Sequence, residues 1–133
     1  MVSDNGRGKA EMRVRLVEPR PPGQTVYDYA MLPRLGLPLI GALLVRAGHD
    51  VKAYCELLAP VDLGECLAAD VVGISTTTST APAAYRLADL LGSAGVPVVL
   101  GGPHTSFCTE EGLDHAPFVV RGEGQATMLE LIG

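Results

Sequence analysis

The sequence predicts an α/β domain: a parallel sheet of five strands with helices on both faces. Two observations carry this expectation. Short apolar runs alternate along the chain with stretches whose apolar residues recur at i, i+3, i+4 and i+7. The central runs, Val71–Ile74 and Pro97–Leu100, are apolar or small throughout instead of alternating, as strands buried on both faces should be. With 133 residues, 47% of them hydrophobic, the chain suffices for one such domain and is too apolar to be disordered.

The elements follow in order. Residues 1–12 are polar and aperiodic and read as a flexible N-terminal tail, leaving 13–133 as the domain. Arg13–Val17 is a first strand, closed by Pro19. Residues 18–35 show no pattern beyond Pro21-Pro22-Gly23 and Tyr27-Asp28-Tyr29, and a loop that long in a compact domain is usually functional. Ile40, Leu43, Leu44 and Ala47 form one apolar face of a helix stopped by Gly48. Val51–Cys55 is a second strand. Asp62 and Glu65 have capping-box spacing before a short helix with Leu63, Cys66 and Leu67 on its apolar face. After the third strand, Val71–Ile74, come six hydroxyl residues, Ser75 to Thr80. Thr80 is placed to cap a helix whose face is Ala84, Leu87, Ala88 and Leu91, ended by Gly92. The fourth strand, Pro97–Leu100, runs into the turn Gly101-Gly102-Pro103-His104. A short acidic helix at Glu110–Asp114, a strand at Pro117–Val120 and a helix opened by Gly122-Glu123-Gly124 and running through Leu131 complete the chain.

Right-handed crossovers leave a flavodoxin-like or a Rossmann-like doubly wound fold, and the expected strand order is 2-1-3-4-5 in three layers. Ligands of such folds bind beyond the carboxyl ends of the strands, where the winding reverses. Residues 18–35, 75–80, 101–105 and 121–124 lie there. His49 and Asp50 fall at the opposite end and are expected to be structural.

Several functions are excluded by composition. A net charge of −5 with scattered Lys and Arg, 5% aromatics and no Trp argues against nucleic acid. No membrane span is expected. Leu35–Val45 is too short for one, and the uncharged stretch Leu90–Thr109 is broken by six Gly and Pro residues. The N-terminus lacks the apolar core of a secretory signal, and three widely spaced cysteines fit reduced thiols, so a cytoplasmic protein is expected. There is no phosphate loop ending in Gly-Lys-Ser/Thr, no acidic pair after the first strand and no Gly-x-Ser-x-Gly elbow.

The candidate site is therefore neutral and rich in hydroxyls and glycine. Six hydroxyls from Ser75 to Thr80 each need a partner if buried, at about 1–3 kcal/mol apiece, so they either line a solvated turn or meet a ligand. Gly101-Gly102-Pro103 is either a plain turn or a place where backbone approaches a ligand closely. On the second reading, Gly102→Val is expected to abolish ligand retention. His104 reads as a lone histidine without a His, Cys or Asp at ligand spacing, and no metal site is expected. Gly122-Glu123-Gly124 resembles a dinucleotide loop only weakly, since position 127 is Thr and the loop follows the last strand. Such a rim suits a large ligand held by many backbone and hydroxyl contacts.

At these residues the chain resembles the cobalamin-binding-type domain at the N-terminus of radical S-adenosylmethionine enzymes, of the anaerobic Mg-protoporphyrin monomethyl ester cyclase and cobalamin-dependent methylase type. The resemblance covers residues 13–133. It rests on Gly101-Gly102-Pro103-His104, Glu110-Glu111, Asp114 and Val119-Val120-Arg121-Gly122-Glu123-Gly124, with Leu35-Gly36-Leu37-Pro38 and Ala47-Gly48-His49-Asp50-Val51. It implies a flavodoxin-like fold that receives a corrin ring on its top face, with the nucleotide tail entering between the first and third strands. The implied cofactor-binding residues are Ser75, Thr76, Thr77, Thr78, Gly101, Gly102, Pro103, His104, Gly122, Glu123 and Gly124.

Two departures matter. Residues 18–35 contain no His, so the Asp-x-His-x-x-Gly that supplies a lower cobalt ligand in related domains is absent. The implied cobalamin is base-off without a histidine ligand from this loop. There is also no Cys-x-x-x-Cys-x-x-Cys, and Cys55, Cys66 and Cys108 cannot replace it. The iron–sulfur cluster and S-adenosylmethionine are then expected in a C-terminal radical domain in cis, with this chain a fragment or a stand-alone relative. The chain alone is expected to be a catalytically inert cofactor module of an enzyme that transfers methyl groups or cyclises a tetrapyrrole. The alternatives are a degenerate docking or substrate-recognition domain that binds no corrin, or a flavin module using the same face.

Overall fold

The computed structural model describes residues 11–21, 36–122 and 124–132. The expected tail up to residue 10, most of the first loop (22–35) and Glu123 lie outside the described residues.

Five strands, β1 (Arg13–Glu18), β2 (Asp50–Cys55), β3 (Val71–Ser75), β4 (Val98–Gly101) and β5 (Phe118–Val119), form one sheet in the order β2-β1-β3-β4-β5. Every neighbouring pair is parallel. The helices are α1 (Gly36–Arg46), α2 (Leu63–Leu67), α3 (Ala81–Ser93), α4 (Pro103–Phe107), α5 (Thr109–Leu113) and α6 (Gln125–Ile132). The doubly wound, flavodoxin-like winding expected from the sequence is the one observed. No helix among the described residues is long and apolar enough to cross a membrane.

The period-two pleat sorts the strand residues into two cores. Val14 and Leu16 of β1, Val71 of β3 and Val99 of β4 face α1 and α6, packing on Leu44, Met128 and Ile132. Val17, Val72, Ile74, Val98 and Leu100 face the other way, onto Cys66 of α2 and Ala84, Ala88 and Leu91 of α3. The small residues on α3 let that helix sit close to the sheet.

Some elements differ from the sequence reading. The turn expected at Gly101–His104 passes after Gly102 into a helix, Pro103–Phe107, with Pro at its start as helix geometry favours. The β5 ladder is only two residues long. On α2 only Cys66 is buried, and Leu63 and Leu67 are exposed. Ala47 lies past the end of α1 and is exposed, while Gly48 makes the chain reversal at φ 98°. Thr80 stands at the N-cap of α3 but makes no side-chain cap bond. Its hydroxyl instead accepts the Thr77 N–H at 2.8 Å.

The lower half of the sheet carries a buried cation that the sequence did not flag. The Arg15 side chain is 4% exposed and meets Glu65 at 3.0 Å and Asp50 at 3.4 Å, and donates to the Asp50 carbonyl at 2.9 Å. Asp62 accepts the Glu65 N–H at 3.1 Å as a cap should, but the Glu65 carboxylate turns to Arg15 and Lys52 instead of closing the box. The Lys52 hydrogen bond, then its charge, and more weakly Arg15 hold the Glu65 carboxyl below its ordinary value. A carboxylate lowered on folding contributes stability above the ordinary carboxylate range and loses it as pH falls through the lowered value. Glu65→Gln is therefore expected to lower the thermal midpoint at pH 7, by a gap that shrinks as the pH is taken well below the ordinary carboxylate range. A gap that stays equal across that range would remove the ion pair from the account.

His49 is structural, as expected: it is buried, and its Nδ1 accepts the Met12 N–H at 3.1 Å. All three cysteines are free thiols, and burial pushes Cys66 up to about 11.

Candidate functional site

A cleft of about 260 Å³ opens at the carboxyl ends of β1, β3 and β4, between the sheet and helices α1 and α6. Its shape follows from the pleat. Leu16, Gly73 and Val99 are register partners across three strands, on the face toward α6. With Gly73 in the middle, that row has no side chain at its centre. The next row up pairs Ser75 with Gly101, again leaving one side without a side chain. A Cβ at Gly73 would meet Leu16 at 3.0 Å and Met128 at 3.6 Å, so glycine is what keeps the floor low.

The walls are Leu37 and Ile40 of α1, Val120 beyond β5 and Met128 of α6, and Gly122 and Gly124 border the mouth. Among the described residues, the polar side chains in the lining are Glu18 and Ser75, and none is Lys or Arg. The volume is below the roughly 300–1,000 Å³ of sites that enclose a whole drug-sized ligand. A flat heterocycle with its sugar fits such a space, whereas a tetrapyrrole would have to lie over its mouth.

The site residues inferred from the sequence divide into two groups. Ser75, Gly101, Gly102, Pro103, Gly122 and Gly124 line the cleft. Thr76, Thr77, Thr78 and His104 do not, and Glu123 lies outside the described residues. Thr76 is completely buried, donates to the Gly101 carbonyl at 2.7 Å and accepts the Thr105 N–H at 3.2 Å. Its hydroxyl thus joins the ends of β3 and β4 to α4. Thr77 and Thr80 pair hydroxyls at 3.1 Å within their own turn.

Gly102 also departs from the reading given above. It has φ 96° and ψ 175°, and a Cβ there would lie 2.4 Å from the Thr76 carbonyl oxygen. The close approach it permits is to the protein's own backbone at Thr76, and it lies in the cleft lining as well.

His104 is not alone. On the opposite side of β4 from the cleft, its Nε2 meets Glu111 at 2.6 Å and its Nδ1 meets the Thr78 hydroxyl at 3.3 Å. Cys108, four residues on, completes a cluster with His104 and Glu111 whose donor atoms lie within 4.8 Å of one another. Tyr85 donates to the same Glu111 oxygen at 2.7 Å and stacks on His115 at 4.2 Å. Tyr85 and His104 both hold the Glu111 carboxyl below its ordinary value, and burial together with that carboxylate pushes the Tyr85 hydroxyl up.

The sequence reading missed Leu16, Gly73, Leu37, Ile40, Val120 and Met128 in the cleft. A signal for Gly73 was present, since an isolated glycine inside a buried strand marks close approach. The apolar walls carried none, because a cleft wall and a core face have the same periodicity.

A family model described as a B12 binding domain matches residues 28–132. The chain belongs to the B12-binding domain family. This B12-binding domain is 39% identical over 111 residues to an uncharacterized methyltransferase of Pyrococcus horikoshii, covering 75% of the chain and 24% of that protein. It is 32% identical over 136 residues to the anaerobic magnesium-protoporphyrin IX monomethyl ester cyclase of Synechocystis, covering 91% of the chain and 27% of the cyclase. Over 54 residues it is 48% identical to a bacteriochlorophyllide d C-8(2)-methyltransferase of Chlorobaculum tepidum, covering 41% of the chain and 12% of that enzyme. The domain spans about a quarter or less of the length of these curated relatives. No solved structure matches it significantly.

Proposed function

We propose that this domain binds cobalamin by taking its nucleotide tail into the cleft over Gly73, with the corrin ring lying across the carboxyl edge of the sheet. The observation that carries the reading is the pair of side-chain-free positions, Gly73 and Gly101, on the cleft face of a B12-binding domain. The two glycines make room for a flat group, and Leu37, Ile40 and Met128 offer it apolar contact. The Ser75 hydroxyl and Glu18 offer polar contact to a sugar or base edge. Gly122 and Gly124 present backbone at the mouth. The absence of His from residues 18–35 favours base-off binding without a protein imidazole from that loop.

Bound cobalamin supplies the methyl-transfer or radical chemistry, while the domain orients the group and excludes water from the tail. In the whole protein we infer a radical S-adenosylmethionine domain in cis, holding an iron–sulfur cluster and acting as a methyltransferase or a tetrapyrrole cyclase. The relatives' names, a methyltransferase and an anaerobic magnesium-protoporphyrin ester cyclase, support that choice of activities. The test is direct. Purified chain mixed with hydroxocobalamin and desalted is expected to retain corrin absorbance near one equivalent at micromolar concentrations. Colourless protein would refute the reading and leave a docking module that binds no corrin. Protein purified yellow would indicate flavin on the same face.

A further inference from the structure

We propose that His104, Cys108 and Glu111 form a binding site for a transition-metal ion of the Zn²⁺ class, separate from the cobalamin cleft. The local fold puts these three donors on one surface. Cys108 joins α4 to α5 at φ −110° and ψ 55°, a break between the two helices, and its N–H donates to the His104 carbonyl at 2.8 Å. The Gly112 N–H donates in turn to the Cys108 carbonyl at 3.1 Å. Across these two short helices and the break between them, the donor atoms of His104, Cys108 and Glu111 lie within 4.8 Å of one another.

A tetrahedral zinc ion, with bonds of about 2.0–2.3 Å, holds its ligand atoms about 3.3–3.7 Å apart. Side-chain torsions alone can bring the trio to that spacing, with the 2.6 Å contact between His104 and Glu111 opening to admit the ion. A thiolate and a carboxylate balance the charge of a divalent cation, and the mixed N, S and O donors suit a borderline metal. The surroundings are those that orient metal ligands. The other ring nitrogen of His104 contacts the Thr78 hydroxyl, and Tyr85 donates to the Glu111 carboxylate. His104 and Cys108 are half-buried and Glu111 is exposed, so a fourth position opens to water. None of the three residues lines the cleft.

The experiment uses untagged chain, freed of metal by a chelator and kept free of corrin, titrated with Co²⁺ and then Zn²⁺. One Co²⁺ per chain with a thiolate-to-cobalt charge-transfer band, displaced by Zn²⁺, is expected. Cys108→Ser is expected to abolish the band and weaken Zn²⁺ at least about tenfold in competition with a chromophoric chelator. Glu111→Gln is expected to weaken Zn²⁺ by a similar factor, and Cys55→Ser to change nothing. Far-ultraviolet circular dichroism of each variant shows that it is folded. Failure to bind either ion at micromolar concentrations would overturn the proposal. So would a folded Cys108→Ser variant that binds as tightly as the parent, or loss of the band in Cys55→Ser.

Discussion

Gly101→Val is expected to leave the domain folded and to reduce cobalamin retention by at least about tenfold, equivalent to about 1.4 kcal/mol. Gly101 is the last residue of β4, on the same side of the strand as Val99, and it lines the cleft beside Ser75. A Cβ there meets only the Val120 carbonyl oxygen, at an ordinary 3.8 Å. Gly101 is not among the glycines with positive φ, and valine suits a strand better than glycine does, so the stability change should stay within about 1 kcal/mol. The added isopropyl group would occupy the space assigned to the nucleotide tail. Desalting after incubation with hydroxocobalamin measures retention, and a thermal melt measures the fold. Full retention by a folded variant would place the ligand elsewhere.

The neighbouring substitution, Gly102→Val, is expected to damage the fold itself, by about 3 kcal/mol or more. The backbone at φ 96° and ψ 175° is open essentially to glycine alone, and a Cβ would lie 2.4 Å and 2.6 Å from the oxygen and nitrogen of Thr76. Those two atoms are already engaged. The Thr76 N–H donates to the Gly101 carbonyl at 2.8 Å, and the Thr76 carbonyl accepts from the His104 N–H at 3.4 Å. Relief would require β3 and β4 to part at the point where Thr76 ties them together. The thermal midpoint should fall by about 10 °C or more, and Gly102→Ala should show much of the same loss. A Gly102→Val protein that melts like the parent would show that this junction yields more readily than its geometry implies. Loss of corrin by this variant alone says nothing about the pocket, whereas loss by Gly101→Val does.

The sheet was legible because buried parallel strands leave continuous apolar runs, and Val71–Ile74 and Pro97–Leu100 could hardly be read otherwise. The alternation with helices left a flavodoxin-like or a Rossmann-like winding, and the expected order 2-1-3-4-5 is the one observed. What sequence could not separate was adjacent glycines with different tasks. Gly101 leaves a cleft row without a side chain and Gly102 lets two stretches of backbone touch, a distinction that depends on φ and on Thr76. The two readings of the hydroxyl run could not be separated for a related reason. Thr76 and Thr77 bond to the protein's own carbonyl and hydroxyl groups, whose arrival depends on β4 and on the turn into α3. His104 seemed isolated because no helix was expected at Pro103–Phe107, and it is the two short helices meeting at Cys108 that bring His104, Cys108 and Glu111 together.

The pleat of β3 and β4 separates the molecule's liabilities. Residues 73, 75, 99 and 101 line the cleft, while Val72, Ile74, Val98 and Leu100 pack in the core that includes α3. Lineages drifting at the first set could forfeit or refashion their prosthetic group with the opposite layer undisturbed. An inherited scaffold of this kind would outlive its cargo.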